Sequence, residues 1–376
     1  MKTWPEYTVA CRKDVDTLLK KGGSLSAYRA SSAFPDWKGP AKDSWAWRLE
    51  RELEHKFKVK YAVACNSGTA ALHMALHSLN LRSGSVIVPP YSFSATVSAV
   101  LMAGLTPIFA DIHPYDFCLD PEAVKRVITK ETKAILPVSL FGYRPDYDGQ
   151  FRGLGLPVVE DGAQAVGARR NGSVLQQVVS SQVLSFNGAK NLPSGEGGAL
   201  ITNSGRIAER ARLLMNHGCN FGGPIGYNYR INEVTACIAW HGLMELEERN
   251  RKRVELASAL RSGLMNGLPL TQCLLRRYWG PEPLDGSHVF YTFPFFPEKC
   301  KNRSRFIRRM KRKGYTVQSA YTQPLHTLPA FRKYQRGPLP VVEDVHKRLC
   351  LLNNVRPPST EKQMREMAIA MREALE

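Results

Sequence analysis

Residues 184–200 read LSFNGAKNLPSGEGGAL, with Lys190 at their centre. The lysine follows a short apolar run, Val183-Leu184-Ser185-Phe186, and precedes Gly195, Gly197 and Gly198. The run predicts a buried strand. The glycines predict backbone that passes close to another group. A lysine held at the end of a buried strand either snorkels to water or reacts. The segments around it decide which.

Working outward, short apolar runs alternate with helical ones. YAVACNS (61–67), SVIVPP (85–90), TPIFADI (106–112), TKAILPVS (132–139), LPVVEDG (156–162), QVLSF (182–186) and GGALIT (197–202) predict strands. Helices are predicted between several of them, one closed by Gly104 and one opened by Pro121. This alternation predicts an α/β fold: a mainly parallel sheet with helices on both faces. Ligands of such sheets bind beyond the carboxyl ends of the strands. The stretch 66–69, Asp161 and residues 185–190 all fall at strand ends, which predicts one site assembled from distant segments. Beyond residue 205 helices dominate, and residues 232–264 predict one long helix linking a large domain (1–250) to a small α+β C-terminal domain (251–376). The first 45 residues carry no clear pattern and are read as packing on a partner subunit.

Composition narrows the class. The chain has 376 residues, 43% apolar and 23% charged, as an ordinary globular protein does. No apolar run approaches the roughly 20 residues of a membrane helix, so no membrane association is expected. The N-terminus carries no apolar core of a secretory signal, and the eight cysteines show no CxxC spacing. A cytoplasmic protein without a metal site is therefore expected. The net charge is +19. Residues 251–376 hold 24 Lys/Arg against 10 Asp/Glu, a net of +14. The densest run, KNRSRFIRRMKRK (301–313), holds eight basic residues and puts Arg305, Arg308, Arg309 and Arg312 mostly on one helical face. It reads either as a solvated helix or as a surface for a polyanion such as DNA.

Three further motifs bear on Lys190. In NSGTAAL (66–72) a strand ends and Ser-Gly-Thr opens a helix, whose free N–H groups favour an anion. Gly68 allows close approach, and Thr69 and Ser67 add hydroxyls. In VVEDGAQA (158–165), Asp161 ends an apolar strand, where it either caps a helix or meets a cationic partner such as a protonated ring nitrogen. Gln164 follows one helical turn later. Phe93, in PYSFSAT (90–96), lies beyond another strand end, as core or as a stacking ring. A reactive lysine, an anion-binding turn, a buried acid and an aromatic face are together what pyridoxal 5′-phosphate (PLP) requires.

These segments, with PPYSFSATVSAVLMAGLTPIFADI (89–112), VVEDGAQAVGA (158–168) and GYNYRINEVTACIAWHGL (226–243), resemble the DegT-like family of fold-type I PLP enzymes, the sugar aminotransferases. SAYTQPLHTLPAF (319–331) is a weaker echo. The resemblance implies that Lys190 is the Schiff-base lysine and that Asp161 partners the pyridine nitrogen. It implies that Gln164 contacts the ring's phenolic oxygen, that Phe93 stacks on the ring, and that Gly68, Thr69 and Ser185 hold the phosphate. Asn228 would be a phosphate ligand given by the neighbouring subunit, which implies a homodimer with shared sites. Tyr321 and His326 would reach the substrate side, although a lone histidine is as readily a surface residue.

The family often has histidines where this chain has Asn187 and Ser139. Both positions are expected near the substrate. The resemblance implies transfer of an amino group from an amino acid donor to a keto acceptor such as a nucleotide-linked sugar. The basic charge suggests an alternative, a PLP-dependent decarboxylase or transaminase acting on an amino-acid-modified base in DNA, flipped out to reach the lysine. A non-catalytic PLP-binding regulator is a third reading.

Overall fold

The computed structural model describes residues 4–22, 24–28, 39–219, 225–265, 286–297 and 302–375. Cys273, Cys300 and Lys301 lie outside the described residues, as does the middle of the N-terminal stretch. The helices are α1 Val9–Lys21, α2 Trp45–Phe57, α3 Gly68–Ser78, α4 Ser94–Met102, α5 Pro121–Val127, α6 Tyr147–Phe151, α7 Gly205–Met215, α8 Glu233–Met244, α9 Leu246–Met265, α10 Arg303–Arg312, α11 Pro340–Arg348 and α12 Glu361–Leu375. The strands are β1 Tyr61–Cys65, β2 Ser85–Val88, β3 Thr106–Phe109, β4 Thr132–Ile135, β5 Val158–Asp161, β6 Val179–Ser185, β7 Gly198–Thr202, β8 Phe293–Phe295, β9 Gln318–Ser319 and β10 Cys350–Leu352.

The first seven strands form one sheet in the order β1-β7-β6-β5-β4-β2-β3. Its pairs are parallel except where β7 meets β1 and β6. Every residue of β2, β5 and β7 is buried, which is why these strands show no alternation of apolar and polar residues. Helix starts follow side-chain caps: Ser67 Oγ accepts from Ala70 N at 3.1 Å, and Asp120 accepts from Glu122 N and Ala123 N ahead of Pro121. The N-terminus of α2 is held by a carboxylate from α8, since Trp45 N and Ala46 N donate to Glu233 at 2.8 and 3.1 Å.

The single long helix expected over 232–264 is two helices. The chain turns at Glu245, where φ is −92° and ψ −5°. The C-terminal strands make a second, antiparallel sheet in the order β8-β10-β9. A separate core of Leu256, Leu260, Phe295, Phe306, Met310 and Met367 lies with it. Leu325, Val342, Val345 and Leu349 instead join the main core. Among the described residues no helix is long and apolar enough to cross a membrane.

Candidate active site

Beyond β6 the chain leaves the sheet, turns and returns as β7. Phe186 N donates to Gly197 O at 2.9 Å, Gly188 N to Gly195 O at 2.9 Å and Ser194 N to Phe186 O at 2.7 Å. These bonds close a loop that carries Lys190. Gly195 (φ +87°) and Gly197 (φ +130°) take backbone conformations that other residues rarely adopt. At Gly198 a Cβ would lie 2.7 Å from Gly68 N and from Leu184 O, so the loop's return brings β7 against the first turn of α3. Lys190 is half-buried, and its Nζ stands 4.6 Å from the centroid of the Tyr291 ring.

Asp161 ends β5 as expected, but no helix follows. Residues 162–168 form turns, with Ala165 N bonded to Gly162 O and Ala168 N to Ala165 O, each at 2.9 Å. The helix-cap reading of Asp161 therefore fails, and Gln164 arrives by a turn rather than a helical one. The carboxylate accepts from Thr96 Oγ1 at 2.9 Å and from Ala163 N at 3.2 Å, and Thr96 is itself bonded to Ser92 Oγ at 2.7 Å. Burial raises the Asp161 pKa; the bonds from Thr96 and Ala163 and the charge of Lys190 pull the other way. Gln164 is fixed at both ends: its Oε1 accepts from Phe141 N at 2.8 Å and its Nε2 donates to Tyr321 OH at 2.9 Å. Burial raises the Tyr321 phenol well above its ordinary value. Phe93 precedes α4 with its side chain 58% exposed, so it is a ring at a strand end and not core.

The strand-to-helix turn expected at 66–69 is present. Gly68 and Thr69 open α3, whose first N–H groups find no acceptor within the helix. Ser185 lies against them, since a Cβ at Gly68 would be 3.0 Å from Ser185 Cβ and 3.3 Å from its Oγ. Asn228 is exposed, and its carbonyl takes the side-chain amide of Asn66 at 3.2 Å.

The other expected residues have these surroundings. Ser139 is fully buried and donates to Glu160 Oε1 at 2.6 Å, inside a closed network with Arg144, Gln182 and Tyr147. Asn187 is turned to Glu196 at 3.0 Å. His326 is not a surface histidine. It is buried edge-on to Phe109, with the Glu343 carboxylate at 3.7 Å, and burial lowers its pKa. On α10, Arg305, Arg308 and Arg312 are exposed, but Arg309 donates to Ala374 O at 2.9 Å at the end of α12. The sequence reading missed Thr96 and Tyr291. A Ser92/Thr96 pair at i, i+4 was a readable signal for the first. Nothing in VFYTF (289–293) singles out the second.

Comparisons with known proteins bear on this arrangement. Residues 42–371 match the DegT/DnrJ/EryC1/StrS aminotransferase family. GDP-perosamine synthase of Caulobacter vibrioides is 34% identical over 298 residues, 76% of this chain and 78% of that protein. The dTDP-3-amino-3,4,6-trideoxy-alpha-D-glucose transaminase of Streptomyces venezuelae is 33% identical over 296 residues, 75% and 74% of the two chains. Among solved structures, DesV of S. venezuelae superposes with a TM-score of 0.84 at 29% identity, covering 98% of this chain and 94% of that one. NtdA of Bacillus subtilis, with bound PMP, gives 0.81 at 27% identity, covering 98% and 83%. The fold is that of the fold-type I PLP enzymes, and the chain belongs to the DegT/DnrJ/EryC1/StrS aminotransferase family.

Proposed function

We propose that the protein is a PLP-dependent aminotransferase that moves an amino group from an amino acid donor to the keto group of a nucleotide-linked sugar. One observation carries the reading: Asp161, acted on by the charge of Lys190, sits at the same end of the sheet as the α3 turn and Ser185. The residues fit the cofactor. The buried carboxylate of Asp161 lacks a cationic partner at hydrogen-bond range among the described residues, and a protonated pyridine nitrogen supplies one. The exposed Phe93 ring offers a stacking face.

When bound, PLP supplies an aldehyde that takes up an amine and a ring that withdraws electrons from the bonds at Cα. Lys190 would be the amine that holds the cofactor and would then serve as the acid/base for the proton at the substrate's Cα. Asp161, oriented by Thr96 and Ala163, keeps a proton on the pyridine nitrogen. Gly68, Thr69 and Ser185 bind the phosphate with the α3 N-terminus behind them. Gln164, held by Phe141 and Tyr321, positions the phenolic oxygen. Asn228 of the partner subunit completes the phosphate site in a homodimer. We read residues 1–250 as the cofactor-binding unit and 251–376 as a smaller basic one, in a cytoplasmic protein.

The names of relatives support the sugar acceptor: the Caulobacter and Streptomyces proteins are named for GDP- and dTDP-linked sugars. The exposed arginines of α10 favour a second reading, in which a modified base in DNA is the substrate. The test is the visible spectrum of the PLP-loaded protein during titration with L-glutamate and other amino acids. Conversion to the pyridoxamine form is expected. A spectrum unmoved by every donor refutes the aminotransferase reading.

A further inference from the structure

Three arginines surround the ring of Trp4. The guanidinium carbons of Arg249, Arg253 and Arg356 stand 5.4, 4.9 and 5.4 Å from its centroid. Arg249 is balanced, since it pairs with Glu245 and donates to Glu6 O. The other two are not. Arg253 is fully buried. Its Nη1 donates to the carbonyls of Phe290 and Tyr291 at 3.1 and 3.3 Å, while its Nε and Nη2 are buried without a hydrogen-bond partner. Arg356 is half-buried, and its Nη1 lies 3.5 Å from Ala189 O. Among the described residues no carboxylate acts on either guanidinium. Burial and the neighbouring Arg356 lower the Arg253 pKa to about 9, and burial lowers that of Arg356.

A buried guanidinium with open donors and a second cation beside it is costly unless something supplies negative charge. The place of this pair points to what does. Arg356 touches the residue just before Lys190, and Arg253 grips the backbone of Tyr291, whose ring lies 4.6 Å from Lys190 Nζ. An anion bound by the two arginines therefore sits beside the lysine.

We propose that Arg356 and Arg253 form an anion subsite that binds the acidic group of a substrate presented to Lys190. That group is a carboxylate of the amino donor or the diphosphate of the acceptor, two sources of the same anionic oxygens. The use of the subsite rests on the aminotransferase reading; its ability to bind an anion does not. Arg356 makes the direct contact from its open side, and Arg253 holds the second charge behind it.

The test is isothermal titration calorimetry of the PLP-loaded full chain, with pyrophosphate and with glutarate as probes. The cofactor's own phosphate site is then filled. Wild type is compared with Arg356→Gln, Arg253→Lys and Arg365→Gln, an exposed arginine paired with Glu361 that serves as the charge control. At least one probe is expected to bind wild type and Arg365→Gln alike, and to bind Arg356→Gln about tenfold more weakly or worse. Arg253→Lys, which keeps the charge but loses the fork, is expected to fall between. Loss confined to pyrophosphate assigns the subsite to a diphosphate, and loss confined to glutarate assigns it to a carboxylate. No binding of either probe, or equal binding by Arg356→Gln, overturns the proposal even where L-glutamate converts the cofactor. Arg356-dependent binding in a protein that no amino donor converts upholds the subsite and refutes the aminotransferase reading instead.

Discussion

Gly68→Ala tests whether the first turn of α3 is the cofactor's phosphate cradle. The new methyl would lie 3.0 Å from Ser185 Cβ, 3.3 Å from Ser185 Oγ and 3.6 Å from Leu184 O. Carbon atoms rest comfortably at about 3.5–4.0 Å, so the methyl intrudes by roughly half an ångström or more. Neither side yields freely. Ser185 is in register opposite Gly198, and Gly198 already presses on Gly68 N so closely that a Cβ there would stand at 2.7 Å. The first turn of α3 must therefore move away from Ser185 by a few tenths of an ångström. Overpacking of this kind costs about 1–3 kcal/mol. Where the displaced atoms also hold the phosphate, part of that cost appears in cofactor affinity, and at about 1.4 kcal/mol per decade the Kd for PLP rises by up to about 100-fold. The assay is titration of the apoprotein with PLP by visible absorbance, with thermal melts at fixed excess PLP as a second readout, because a weaker ligand lends less stability. Ser185→Ala is the companion variant: it removes the hydroxyl but keeps the Cβ, so PLP binding weakens with little change in the apoprotein's Tm. A Gly68→Ala protein whose Tm drops while its PLP Kd stays within about twofold of wild type refutes the reasoning, since the methyl is then felt by packing alone.

Lys190→Ala is expected to abolish conversion by any amino donor while leaving the Tm within a few degrees, because the side chain is half-exposed and stands over the Tyr291 ring at 4.6 Å without being enclosed; circular dichroism and the donor titration check both. Arg144 and Glu160 are fully buried and bonded at 2.9–3.0 Å, so Arg144→Met or Glu160→Leu alone is expected to cost about 3–5 kcal/mol in urea unfolding, and the two together less than either. His73 is held to a pKa of about 4, first by burial and then by His77, so it stays neutral in the fold while the unfolded chain protonates it near 6.5. Its contribution is full above pH 6.5 and is lost as pH falls toward 4. His73→Asn is expected to flatten that part of the Tm–pH curve. Arg305→Ala/Arg308→Ala/Arg312→Ala is expected to reduce the salt slope of duplex DNA retention by up to about 3, at roughly 0.9 per lost phosphate contact; an unchanged slope removes α10 from any polyanion contact.

What the sequence shows and what it hides follow from how far apart the interacting groups lie along the chain. The strands were legible because each is a short apolar run ended by a polar or small residue, and burial on both faces leaves no alternation to confuse. Asp161 and Ser185 were legible for the same reason: polar residues at the ends of apolar strands stand out, as does Lys190 in the glycine-flanked loop that follows β6. The break at Glu245 was not, because a single residue at φ −92°, ψ −5° scarcely disturbs the helical spacing of its neighbours. His326 read as a substrate-side residue or a surface one because its polarity was visible and the Phe109 ring beside it, more than 200 positions away, was not. Arg309 shared a periodicity with three exposed arginines, yet the end of α12 drew it away. Arg253 is the sharpest case. In LEERNRKRVELASAL it is one of four basic residues on a charged helix, and a solvated role is the natural reading. Its burial depends on Trp4, Tyr291 and Arg356 arriving from three remote segments. Sequence periodicity says which side of a helix a residue occupies, but the charge balance of a site is set by what packs there from elsewhere. A cation left without a carboxylate is therefore visible only once the fold is assembled, and there it marks where a ligand's negative charge belongs.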